Sequence, residues 1–114
     1  FTPILVNDLS EIILEMMGRQ LDGLFHVVGS QPCSKFEFAL EIAKVFQCDE
    51  HLVHPVSVSD SPLKAPRPRN TTLQTHKISQ ALQRPMPDLH AGLQHLKRLR
   101  ESGFVARLKT GAGV

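Results

Sequence analysis

A small mixed α/β domain is the fold these 114 residues predict, on three observations. Two short apolar runs, Thr2-Pro3-Ile4-Leu5-Val6 and Gly23-Leu24-Phe25-His26-Val27-Val28-Gly29, have the length and composition of strands. Other segments space their apolar residues at helical intervals behind good capping residues. The length suffices for one core, and 41% hydrophobic with 21% charged residues is an ordinary globular balance. The apolar runs are too short to cross a bilayer. The chain opens on Phe1 rather than methionine and is expected to be a piece of something longer.

Pro3 stands at the start of the first run, where a missing donor is tolerated. Asn7-Asp8 reads as a helix cap, with Glu11 as the second half of a capping box. Leu9, Ile12, Ile13, Met16 and Met17 then mark one buried face, and Gly18 ends the helix. The Gly23–Gly29 run is apolar nearly throughout, as a strand covered on both faces is, and His26 within it reads as a hydrogen-bonded structural residue. Ser34-Lys35-Phe36-Glu37 is a full capping box opening a helix over 34–47, the most buried of the set. Leu52-Val53-His54-Pro55-Val56-Ser57-Val58 alternates and reads as an edge strand broken by Pro55.

A stiff basic loop follows. Pro62, Pro66 and Pro68 alternate with Lys64, Arg67 and Arg69 and lead into Asn70-Thr71-Thr72-Leu73-Gln74-Thr75-His76-Lys77. Proline limits the entropy lost when such a loop presents cations, and an arginine fork suits phosphate. The bland alternative is a solvated connector. Thr75 is placed to cap a short helix through Leu82, and Arg84-Pro85-Met86-Pro87 breaks it. Asp88 caps a last helix over 88–101, with Leu89, Leu93, Leu96 and Leu99 on one face and Lys97, Arg98 and Arg100 on the other. Residues 1–104 are expected to form the domain and 105–114 a disordered C-terminal tail.

Charge divides the chain. Residues 1–60 carry nine acids against three Lys or Arg, and residues 61–114 two acids against ten, balances of −6 and +8. An anionic partner for the second half, or attraction between the halves, would use this asymmetry. Nucleic acid fits poorly, because there is no Tyr or Trp and the six Phe do not interleave with the cations. Cys33 and Cys48 flank one helix, about 20 Å apart, and two unpaired thiols favour a reducing, cytoplasmic compartment. His90 and His95 stand at i, i+5, which splits them across a helix, and no metal site is expected. No Ser-His-Asp set is present, so no catalytic residue is assigned.

The order of the pieces carries more than any one of them. Asn7-Asp8-Leu9-Ser10, then Gly23-Leu24-Phe25-His26-Val27-Val28-Gly29, Ser34-Lys35-Phe36-Glu37-Phe38-Ala39 and Arg67-Pro68-Arg69-Asn70-Thr71-Thr72-Leu73, resembles the C-terminal part of the dTDP-4-dehydrorhamnose reductase family, among the extended short-chain dehydrogenase/reductases. The similarity spans about residues 2–100. It implies the C-terminal, substrate-binding half of an extended Rossmann-type reductase. In such enzymes an N-terminal half binds NADPH or NADH and carries a Tyr-x-x-x-Lys pair, and hydride passes to the 4-keto carbon of a dTDP-4-keto-6-deoxy sugar to give dTDP-L-rhamnose. Lys64, Arg67, Arg69 and Asn70 are then the substrate-binding candidates, the three cations for the diphosphate and Asn70 mainly to tie down the loop. No cofactor is expected on this stretch itself, which by itself should be inactive. The implied partners are the nucleotide sugar, an N-terminal Rossmann half and a second copy in a homodimer, with no nucleic acid or membrane. Gln74 and Asn7 depart from the family, which usually has acidic residues there. The alternative reading is a non-catalytic regulatory subunit of the same fold, similar to the beta subunit of methionine adenosyltransferase.

Overall fold

The computed structural model describes residues 1–60 and 65–111, and among them there are helices and 3-10 turns but no strand. Helix α1 spans Val6–Gly18, α2 Lys35–Phe46, α3 His76–Leu82, α4 Leu89–Glu101 and α5 Phe104–Lys109, with short 3-10 turns at Glu50–Leu52 and Val58–Asp60.

The helices form where local signals place them. Ser34 Oγ accepts from Glu37 N at 3.1 Å while Glu37 Oε2 accepts from Ser34 N at 2.7 Å, a complete reciprocal box. Asp88 Oδ1 accepts from Ala91 N at 2.7 Å at the head of α4. The expected cap of α1 does not form. That helix starts at Val6 with Leu5 in the cap position and no side-chain bond. Asp8 lies inside the first turn, and its carboxylate is taken by His95 Nδ1 of α4 at 2.5 Å. A tertiary contact has claimed the group that local reading assigned to capping.

The expected mixed α/β architecture of a Rossmann-type reductase half is overturned. A strand needs consecutive backbone bonds to a neighbour. The segments at 1–5 and 24–33 do approach each other, but through isolated links. Phe1 and Cys33 exchange N–H···O bonds at 2.9 and 2.8 Å, and Ser30 N donates to Pro87 O at 3.0 Å. Pro3, Pro32 and Pro87 interrupt this region, and none has an N–H to extend a ladder. Among the described residues, residues 24–28 make no backbone–backbone bond; Leu24 O accepts instead from Lys77 Nζ at 2.7 Å. The expected edge strand at 52–58 is likewise absent, its apolar side chains standing in solvent around Pro55.

Two apolar contacts hold the helices. Ile12, Ile78, Leu82 and Met86 form a buried cluster between α1 and α3, with Ile4, Met16, Leu21, Phe25 and Val27 around it. Met86 enters it from between Pro85 and Pro87. On the other side α2 and α4 lie together over Ala43, Val45 and Leu93. They run in the same direction: Glu41 meets His90, Val45 O accepts from Lys97 Nζ, and Phe46 lies under Arg100. At the end of α1, Glu15 holds Arg19 and Arg84, each at 2.7 Å, and Arg19 also donates to Ala81 O.

Candidate functional site

The Asn70–Thr75 stretch runs without helix along the protein and enters α3 at His76. Asn70 Oδ1 accepts from Thr72 N at 2.9 Å, a side-chain turn that sets the direction of the residues after it. Leu73 N donates to Thr2 Oγ1 at 3.3 Å, which fastens the stretch to the start of the chain. These two bonds shape one wall of an open cleft of about 650 Å3. Thr72, Leu73, Gln74, Thr75 and His76 form that wall, and Thr2, Ser30 and Pro32 face them. Ser79, Pro85 and Met86 also line it.

Its lining is more apolar than polar in area and carries no Lys, Arg, Asp or Glu. Thr2, Ser30, Thr72, Gln74, Thr75, His76 and Ser79 contribute its polar groups, and Pro32, Leu73, Pro85 and Met86 its apolar surface. Hydroxyls and amides both donate and accept, the property that binding a sugar or a base edge requires.

Of the sequence-predicted site residues, Arg67, Arg69 and Asn70 are exposed on the segment that leads into this wall, and none of the three lines the cleft. Among the described residues neither arginine makes an ion pair. Asn70 does what was expected of it, holding backbone. Lys64 lies outside the described residues. The cleft's hydroxyls were not singled out by sequence reasoning, although Thr72 to His76 belong to the stretch it chose. Ser30 and Pro32 come from the segment that leads into the N-terminal end of α2. That helix end is spoken for: the Glu37 carboxylate occupies Ser34 N, and this bond holds the Glu37 carboxyl below its ordinary range.

Elsewhere the titratable groups are structural. The i, i+5 spacing of His90 and His95 sends one imidazole to Glu41 of α2 at 2.6 Å and the other to Asp8 of α1 at 2.5 Å. Among the described residues no group of three or more His, Cys, Asp or Glu is placed to hold a metal ion. Cys33 and Cys48 are both free, and burial pushes the Cys33 thiol up. No helix of the described residues is long and apolar enough to cross a membrane.

A family model described as RmlD substrate binding domain matches residues 1–100. No curated protein and no solved structure matches the chain.

Proposed function

The chain belongs to the RmlD substrate-binding-domain family, and from that premise we propose that it binds a nucleotide sugar for an NAD(P)H-dependent reductase of the dTDP-4-dehydrorhamnose type. Family membership supports a function related to sugar-nucleotide reduction. The observation that carries the finer reading is the position of the hydroxyl-lined cleft directly after the Arg67–Asn70 arm. In this reading the sugar and base meet the side chains of Thr72, Gln74, Thr75, His76 and Ser30, and the diphosphate is met at the rim by Arg67 and Arg69. Charge-assisted bonds of that kind contribute about 1.5–3 kcal/mol each when partly desolvated, and less at an open rim.

Hydride transfer is not a step these residues perform. The sequence has no glycine-rich strand–turn–helix for a dinucleotide and no tyrosine to act as the acid. Cofactor and proton donor belong to a companion half. Two exposed surfaces support such a companion. Among the described residues, the backbone N–H groups of 24–28 have no backbone partners, and Leu24 is 79% exposed. The outer face of α1 presents Val6, Ile13, Leu14 and Met17 to solvent.

Titration of dTDP into the chain, followed calorimetrically or by NMR, tests the reading. Expected is weak binding, Kd ~1 mM or above, because one wall is supplied by the companion half. Arg67→Ala with Arg69→Ala should weaken it a further ~10-fold at low salt, consistent with two rim contacts of about 0.7 kcal/mol each. Micromolar affinity, or affinity indifferent to both arginines, would contradict it.

A further inference from the structure

A second cavity lies apart from the cleft. It holds about 120 Å3 and is walled by the entry to α1, by α2 and by α4. Ile4 and Leu5 come from the first, Phe38 from the second, and Leu89, Leu93 and Leu96 from the third. Phe38 is steadied by the ring of Phe1, edge to face with 5.6 Å between centroids. No residue that lines the cleft lines this cavity.

Part of the space traces to Gly92, inside α4. A Cβ built there would meet nothing nearer than Asp8 Oδ2 at 3.8 Å and Leu5 Cβ at 3.9 Å, so the room for a side chain is left empty. Apolar walls around unfilled space forgo dispersion contacts that an occupant restores. Apolar cavities of about 150 Å3 take up benzene, so the volume here suits a slightly smaller apolar group.

Charge sets the rest of the occupant. The lining includes no Lys, Arg or His, and its two charged residues, Asp8 and Asp88, are both acidic. Each has spent one oxygen, Asp8 Oδ1 on His95 Nδ1 and Asp88 Oδ1 on Ala91 N. The second oxygens have no hydrogen-bond partner among the described residues. The Asp8 side chain is only 15% exposed, so its charge acts where water screens it less.

We infer that this cavity takes a small organic ammonium. A branched alkyl group fills the space beside Gly92, and the ammonium donates to Asp8 Oδ2, with the Asp88 carboxylate adding attraction. The site is separate from nucleotide-sugar binding in the cleft.

Three probes share one apolar body and differ in charge: isopentylamine, isopentyl alcohol and isovalerate. Each is titrated into the labelled chain and followed by amide shifts. The amine should shift Asp8, Gly92, Leu93 and Leu96 with Kd ~1–10 mM, while residues 72–76 stay still. The alcohol should bind ~10-fold more weakly and isovalerate weaker again. Asp8→Asn should weaken the amine ~10-fold and leave the alcohol unchanged. Gly92→Ala should abolish binding of all three, because its methyl group occupies the space. That variant is expected to fold, since the new carbon makes ordinary contacts and alanine favours a helix interior over glycine. Circular dichroism will show its helix content retained. Equal affinity for the three probes overturns the inference, as does amine binding undiminished in Gly92→Ala. So do shifts that appear in the cleft instead, or none in the cavity at ~50 mM amine.

Discussion

Gly29 shows how a single residue sets the path of the backbone. A Cβ built there would lie 2.1 Å from Pro3 O and 3.4 Å from Pro87 O, both main-chain atoms that no side-chain rotation relieves. Gly29→Ala should therefore separate the start of the chain from the Gly29–Pro32 segment, at a cost of about 3 kcal/mol in urea unfolding. Thr2 and Ser30 both line the cleft, so the same variant should also disturb the site. Two carboxyls carry a pH dependence. Glu15 is held below its ordinary value of 4.5, chiefly by its hydrogen bond to Arg84 with Arg19 adding to it, and Glu37 likewise by the Ser34 amide. Their ionised forms stabilise the fold above that ordinary value, and this stabilisation is lost as pH falls through the lower folded values. The thermal midpoint should fall on acidification below about pH 4.5, and Glu15→Gln with Glu37→Gln should flatten that fall. The thiols differ too: Cys48 is exposed, while the half-buried Cys33 has its thiolate disfavoured by burial. Iodoacetamide near neutral pH should label Cys48 first, as read by peptide mass spectrometry.

At the level of elements, helices α1 to α4 were legible and the strands were not, for one physical reason. A helix satisfies its own backbone, so Ser34 with Glu37, or Asp88 with the leucines of α4, is enough to place it. Asp88→Ala should lower stability by about 1 kcal/mol through loss of the bond to Ala91 N. A strand is satisfied only by a neighbour, and the apolar run 23–29 has none among the described residues. Tertiary contacts also override local ones, as when His95 takes Asp8 from its expected role at the head of α1. The site was half legible. The stretch from Arg67 to Lys77 supplies residues 72–76 of the candidate cleft, and Asn70 as a backbone tie could be read from its residue type. The cleft itself joins Thr2, Ser30, Thr75 and Pro85, whose adjacency no local pattern announces.

At the scale of the whole molecule, the packing is thin. Seven apolar side chains are buried among the described residues, and the radius of gyration is 16.8 Å. A compact domain of this length would measure about 13 Å. The excess goes with the apolar surface left on α1, on residues 52–58 and at Leu24. None of these lines the cleft between Thr2 and His76. Mapping the amide shifts of the labelled chain during a dTDP titration tests the cleft's role as the ligand site most directly. Residues 30 and 72–76 should shift together and saturate at millimolar ligand, with the amides of Arg67 and Arg69 moving with them. Shifts confined to the Val105–Lys109 helix, or none at these residues under saturating ligand, would contradict it.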